Sequence, residues 1–117
     1  MMKYLVAGIA MLVIGADGKV TYTYITKEDE EKVHAETGDH EGIVEIGRDI
    51  EGVEVSIFIR QTERGCKISL RSNDYVNVSD ACSVFGGGGH SRAAGCTIQG
   101  QIEQVKDKIV KEVIRLL

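Results

Sequence analysis

The chain contains no proline and no tryptophan, and aromatic residues make up only 5% of its 117 positions. The absence of proline excludes a proline-rich linker. So few aromatic side chains argue against an extended platform on which the bases of a single strand would stack. A chain of this length predicts one domain with a modest hydrophobic core.

Positive charge is also in short supply, because 14 lysines and arginines are outnumbered by 18 aspartates and glutamates. The resulting net charge of −4 argues against a protein that binds long duplexes by general electrostatics. A local basic pocket for a short phosphorylated ligand is compatible with this balance. Composition therefore restricts any nucleic-acid partner to a small one.

Cysteine is scarce as well. Cys66, Cys82 and Cys96 are odd in number and widely spaced, with no Cys-x-x-Cys pair among them. Because zinc sites need clustered cysteines and histidines, no structural metal site is predicted. We expect reduced, partly buried thiols in a cytoplasmic protein.

The longest apolar run, residues 4–14, is too short to span a bilayer, which needs about 20 apolar residues. Lys3 before the run and Gly15-Ala16 after it imitate a secretory signal, which is the alternative interpretation. A single lysine and a poor cleavage motif favour an interdomain segment or fragment start over residues 1–18. We expect no membrane partner, but such an apolar segment offers a surface for homodimer contacts.

The rest of the chain alternates between strand and helix patterns. Period-two alternation and β-branched residues predict strands at residues 19–26, 53–59, 66–70 and 94–98. Helical spacing and caps predict helices that begin at Thr26, lie near 43–50, and cover 78–85 and 102–116. Ser79 or Asp80 is expected near the cap of the third helix. This order predicts a single small α/β domain over residues 19–117, a mixed β-sheet flanked by helices.

The most informative stretch is Gly-Gly-Gly-Gly-His-Ser-Arg-Ala-Ala-Gly, residues 86–95. Glycine has no Cβ, adopts positive φ and lets another molecule approach the backbone closely. Because four glycines in succession would weaken a strand or a helix, we expect an ordered loop with exposed amides. Those amides, followed by His90 and Arg92, describe an anion site, and phosphate is the anion that fits best.

Other interpretations of the glycine run are weaker. A flexible linker would be polar on both sides, whereas this run lies between Val84-Phe85 and Ala93-Ala94. A phosphate-binding Walker loop would end in Gly-Lys-Ser/Thr, and the dinucleotide-binding pattern fails at Ser91.

Together with Ser69-Leu70-Arg71-Ser72, the Gly-Gly-Gly-Gly-His-x-x-Ala-Ala-Gly motif closely resembles the C-terminal DHH-associated domain of the DHH phosphoesterase superfamily. It is most similar to the branch of oligoribonucleases (nano-RNases) and phosphoadenosine-phosphate phosphatases. The resemblance covers about residues 19–117 and implies that the domain binds a substrate's terminal nucleotide or phosphate. The implied contacts are Arg71, Ser72, Gly86, Gly87, Gly88, Gly89, His90 and Ser91. On residue type alone, a lone arginine at a strand end is as often solvated or in a surface ion pair.

The resemblance also implies a division of labour. The family's N-terminal catalytic domain, with its Asp-His-His motif and metal-binding aspartates, is not part of this sequence. That domain would be the partner that holds manganese and attacks the scissile phosphate. The present chain would bind no metal or cofactor, supply no catalytic residue and be inactive alone.

The substrate implied is a short RNA or a 3′,5′-bisphosphate nucleotide. Short DNA, cyclic dinucleotides and polyphosphate stay open. The alternative function is a nucleic-acid-binding module without a hydrolytic role, as in the related C-terminal domain of alanyl-tRNA synthetases. That domain has a longer glycine run without the Gly-His-x-x-Ala-Ala-Gly ending.

Overall fold

The computed structural model describes residues 12–14, 18–28 and 44–117. In these ranges one sheet contains strands β1 (Leu12–Ile14), β2 (Val20–Ile25), β3 (Val55–Thr62), β4 (Gly65–Ser72), β5 (Gly88–His90) and β6 (Ala93–Ile98). Two helices have defined bounds, α1 (Val78–Ser83) and α2 (Ile102–Leu116). Residues 27–28 and 44–49 are also helical.

The sheet is mixed, with the strand order β1-β2-β3-β4-β6-β5. Neighbouring strands are antiparallel except for β2 and β3, which are parallel. A parallel pair needs a long crossover, and the chain between these strands includes the helical segment 44–49. A mixed sheet with flanking helices confirms the predicted α/β fold class.

The core lies between one face of the sheet and helices α1 and α2. Alternate residues of each strand point into it, as period-two geometry requires. On α2 the buried residues are Val105, Ile109 and Val113, spaced by four, so one stripe of the helix contacts the sheet. Each such side chain contributes about 1.5–3 kcal/mol when it is fully buried. The strand residues of this core are Val20, Tyr22, Val55, Ile57, Ile59, Cys66, Ile68, Leu70, Ala94, Cys96 and Ile98.

The opposite face of the sheet is covered by the helical segment 44–49 near β2 and β3. Gly47 makes this close contact possible, because a Cβ there would lie 2.2 Å from the Oγ of Ser56 and 2.7 Å from the Oγ1 of Thr21. No such helix lies over β4, β6 and β5 among the described residues, and their outer face carries exposed or half-buried residues. This open part of the sheet holds the glycine–histidine motif.

Two local predictions were wrong in detail. Gly88–His90 is not a loop but the edge strand β5, where a strand pairs on one side only and glycine is better tolerated. The cap of α1 is Asn77, whose side chain accepts hydrogen bonds from the backbone N–H groups of Ser79 and Asp80. Asparagine is as good a cap as serine or aspartate, and it stands directly before the helix.

The apolar segment at the start of the chain lies outside the described residues, except that Leu12–Ile14 pairs with β2. The proposed domain boundary at residues 18 and 19 stays a prediction. The helix expected from Thr26 is described only at residues 27–28. In the ranges that are described, no helix has both the length and the apolar character that a membrane crossing requires.

Candidate phosphate-binding face

The pairing of three strands places the two main candidate side chains in one row. His90 pairs with Ala93 across β5 and β6, and Ala93 pairs with Arg71 across β6 and β4. Residues paired directly across strands project to the same face of a sheet. His90 and Arg71 therefore flank Ala93 on the open face, two strand spacings or about 10 Å apart at their Cα atoms. We call this row the His90–Arg71 row.

The glycines of the motif have separate backbone roles. Gly86 has φ of 81° and Gly89 has φ of 149°, a region that residues with a Cβ rarely adopt. Gly87 lies against β6, where a Cβ would come within 2.3 Å of the carbonyl oxygen of Gly95. Gly88 leaves room for a Cβ, whose closest neighbour would be the Oγ of Ser79 at 3.7 Å. The run is therefore a shaped segment that ends in an exposed His90, and not a flexible linker.

Arg71 is held by an acidic residue of the helical segment 44–49. Its Nε donates to the Oε1 of Glu45 at 3.1 Å, and one terminal nitrogen donates to the carbonyl oxygen of Leu70 at 3.0 Å. Glu45 also forms an ion pair with Arg48. One carboxylate thus serves two guanidinium groups. A ligand phosphate could replace Glu45 at Arg71, since a guanidinium fork binds both kinds of oxyanion.

The two serines predicted to contact the ligand, Ser72 and Ser91, make hydrogen bonds within the protein. Ser72 is 1% exposed, and its hydroxyl donates to the carbonyl oxygen of Val76 at 2.7 Å. Ser91 is exposed in the turn between β5 and β6, and its carbonyl oxygen accepts the N–H of Val78 at 2.9 Å. These contacts fix the turn that carries His90, and direct ligand contact by either serine stays a prediction.

A pair of charged residues that was not predicted holds the neighbouring loop, residues 73–77. The buried carboxylate of Glu54 accepts hydrogen bonds from the backbone N–H groups of Asp74, Tyr75 and Val76, at 2.9–3.2 Å. On the other side, the Arg92 guanidinium donates to the carbonyl oxygens of Val76 at 2.6 Å and Asp74 at 2.8 Å. We call this arrangement the Glu54–Arg92 clamp. The available signal was a lone glutamate between Val53 and Val55, directly before strand β3.

The clamp gives Arg92 a role other than the one its place in the motif suggested. Its guanidinium is occupied by loop carbonyls, so it joins the β5–β6 turn to the loop instead of facing the His90–Arg71 row. Each hydrogen bond from Arg92 to a loop carbonyl reduces the conformational freedom of the segment beside His90. The clamp therefore positions the candidate site.

All three cysteines are free and buried. Burial raises the pKa of the Cys66 thiol. A hydrogen bond with the Cys96 thiol, together with burial, raises the pKa of Cys82. These two thiols are therefore protonated near neutral pH and are poor nucleophiles. The same hydrogen bond lowers the pKa of the Cys96 thiol, but all three side chains lie in the core and not on the open face.

The described ranges contain no group of three or more histidine, cysteine, aspartate or glutamate side chains placed to hold a metal ion. The manganese implied by the family resemblance thus has no ligand set among these residues. The expected exposed amides are not found at Gly86 and Gly87, whose N–H groups donate to the carbonyl oxygens of Ser83 and Cys82. What the open face offers is an imidazole and a guanidinium around a floor of small residues. Groups of this kind are suited to binding an anion.

Comparison with known proteins agrees with the motif. The model of the DHHA1 domain family matches residues 7–117. The bifunctional oligoribonuclease and PAP phosphatase NrnA of Thermus thermophilus is 37% identical over 76 residues, 64% of this chain and 24% of that protein. NrnA of Mycoplasma genitalium is 33% identical over 100 residues, which are 83% of this chain and 31% of that protein.

A solved structure shares the fold over almost the whole chain. The exopolyphosphatase-related protein of Bacteroides fragilis superimposes with a TM-score of 0.82 at 29% identity, covering 97% of this chain and 33% of the other. The chain thus spans between about a quarter and a third of the length of these relatives.

Proposed function

The chain belongs to the DHHA1 domain family, and from this premise we propose that it binds the terminal phosphate of short oligoribonucleotides or 3′,5′-bisphosphate nucleotides for a phosphoesterase. Its NrnA relatives carry both oligoribonuclease and PAP phosphatase in their names. Hydrolysis itself is assigned to a separate DHH catalytic domain, which would supply manganese, and the present chain is inactive alone. The location proposed is the cytoplasm.

One observation carries this proposal: strand register places His90 and Arg71 on the same open face, on either side of Ala93. A guanidinium can bind two phosphate oxygens and cannot lose its proton near neutral pH. An imidazole can donate a further hydrogen bond from the other side. Because Ala93 between them is small, a phosphate can approach the sheet.

Binding is measured by titration calorimetry with 3′-phosphoadenosine 5′-phosphate and with an RNA dinucleotide. We expect dissociation constants between about 10 μM and 1 mM, because only a few contacts come from this chain. His90→Ala and Arg71→Ala should each weaken binding about tenfold or more, the loss of one hydrogen bond to a charged group. Arg115→Ala, at an exposed arginine of α2, is the matched control and should bind as the wild type does.

Circular dichroism and urea unfolding of each variant check that the fold is kept. Folded variants that bind both ligands as tightly as the wild type would refute the proposal. Recognition of the phosphate would then have to lie elsewhere.

A further inference from the structure

A second group of cations lies on the same sheet, at the turn between β3 and β4. There the surface forms a hollow of about 540 Å³, which we call the hairpin hollow. Its lining consists of three basic residues, two threonines and one glutamate: Arg60, Lys67, Arg64, Thr62, Thr97 and Glu63.

The charge of the hairpin hollow is opposite to that of the chain, whose net charge is −4. Its one acidic side chain, Glu63, is already bonded to the Nζ of Lys27 at 2.6 Å. In the described part of the chain, the side chains of Arg64 and Lys67 make no hydrogen bond and no ion pair. Two exposed cations without a described protein partner suit an anionic ligand.

The hollow lies on the same face of the sheet as the His90–Arg71 row. Lys67 and Arg71 point to the same face of β4, four residues or about 13 Å apart along the strand. Arg60 and Thr97 are the direct cross-strand neighbours of Lys67, so they share this face.

Between the two cationic groups, β4 and β6 contribute the pair Ser69 and Gly95. Both are small, so no large side chain of these two strands blocks the path. Neither is charged, so the positive charge comes in two separate groups. Phosphates separated by sugars match such spacing, whereas a continuous polyphosphate would leave several charges without a cation.

We propose that the hairpin hollow is a second phosphate subsite, which binds the sugar–phosphate backbone of a short single-stranded RNA. The position of the RNA's terminal phosphate at His90 and Arg71 rests on the proposed function. A mononucleotide reaches only the His90–Arg71 row, whereas an oligonucleotide reaches both groups of cations. The hollow thus adds affinity for oligonucleotides over mononucleotides.

The test compares ligand lengths in a variant that loses both uncommitted cations, Arg64→Gln with Lys67→Gln. The control removes the same charge from the exposed face of α2, with Lys108→Gln and Lys111→Gln. The probes are an RNA pentanucleotide, 3′-phosphoadenosine 5′-phosphate and a linear polyphosphate, each titrated at several salt concentrations.

We expect the hollow variant to bind the pentanucleotide about tenfold more weakly than the control does, while both bind the mononucleotide equally. The magnitude of the slope of log affinity against log salt should fall by about 1.4, since each of the two lost phosphate contacts on a single strand contributes about 0.7. Equal pentanucleotide binding by the hollow and control variants would overturn the subsite. A loss for polyphosphate as large as that for RNA would overturn the assignment to RNA.

His90→Ala separates this inference from the proposed function. If it leaves mononucleotide binding intact while the hollow variant loses the pentanucleotide, the proposed function fails and the phosphate subsite in the hollow stands. If His90→Ala weakens the binding of both the mononucleotide and the pentanucleotide, and the hollow variant binds both as tightly as the control does, the proposed function stands and the inference fails.

Discussion

Both ends of the β3–β4 pair carry charged residues, which are buried and bonded to the backbone at one end and exposed at the other. Where β3 begins and β4 ends, Glu54 is 4% exposed and binds three backbone N–H groups. At the hairpin end, the side chain of Glu63 is 78% exposed and binds Lys27. Beside it, Arg64 and Lys67 have no described side-chain partner.

The difference separates charges that build the site from charges that are available to a ligand. A buried carboxylate with several backbone partners fixes a loop, and its removal leaves those N–H groups unsatisfied. An exposed cation with no partner loses little when a ligand replaces water around it. Glu45 lies between these extremes, since its side chain is 39% exposed and is shared by Arg71 and Arg48.

The largest effect is expected at the buried end. Glu54→Gln removes the charge and places an amide nitrogen among N–H donors, so we expect a loss of about 2–4 kcal/mol in the free energy of unfolding. Urea unfolding at neutral pH measures this loss. Glu51→Gln, the same change at an exposed neighbour, should alter stability by less than about 0.5 kcal/mol. Equal effects at the two positions would mean that the Glu54–Arg92 clamp does not fix the loop.

A smaller effect, on binding, is expected at the intermediate carboxylate. Glu45→Gln frees Arg71 from a competing anion, so affinity for 3′-phosphoadenosine 5′-phosphate should rise about two- to fivefold, the free energy of an exposed ion pair. Titration calorimetry measures the change, again with Glu51→Gln as the control. Weaker binding would show instead that Glu45 holds Arg71 in its binding orientation.

The sequence was enough to predict the parts of this structure that follow from short-range patterns. Period-two alternation located β3 and β4, and the spacing of Val105, Ile109 and Val113 located the buried stripe of α2. The motif pointed to His90 and its glycines because their chemistry is unusual in itself. Family resemblance, and not periodicity, drew attention to Arg71.

What could not be predicted depends on contacts between distant parts of the chain. Glu54 and Asp74 are 20 residues apart, and nothing local indicates that a carboxylate will meet three amides there. Arg92 follows His90 by two residues in the motif but donates to carbonyl oxygens 16 and 18 residues before it. The register between strands determines both sets of contacts, and it also brings His90 and Arg71 into one row.

The smallest effect on the free energy of unfolding is expected at the hairpin end, where Glu63 is exposed. The pH dependence of this effect contrasts most clearly with that expected for Glu54. The hydrogen bond and charge of Lys27 lower the pKa of Glu63 from its usual 4.5. The stabilisation is therefore fully present above that value, and it disappears as the pH falls through the lower pKa of the folded state. Comparing urea unfolding of the wild type and Glu63→Gln should show a small difference near pH 7 that shrinks as the pH falls below 4.5 and weakens with salt. A difference as large and as insensitive to salt as that for Glu54→Gln would mean that the hairpin end is also built on a fixed charge. Arg64 and Lys67 would then lie beside a structural ion pair, and the distinction between the two ends would fail.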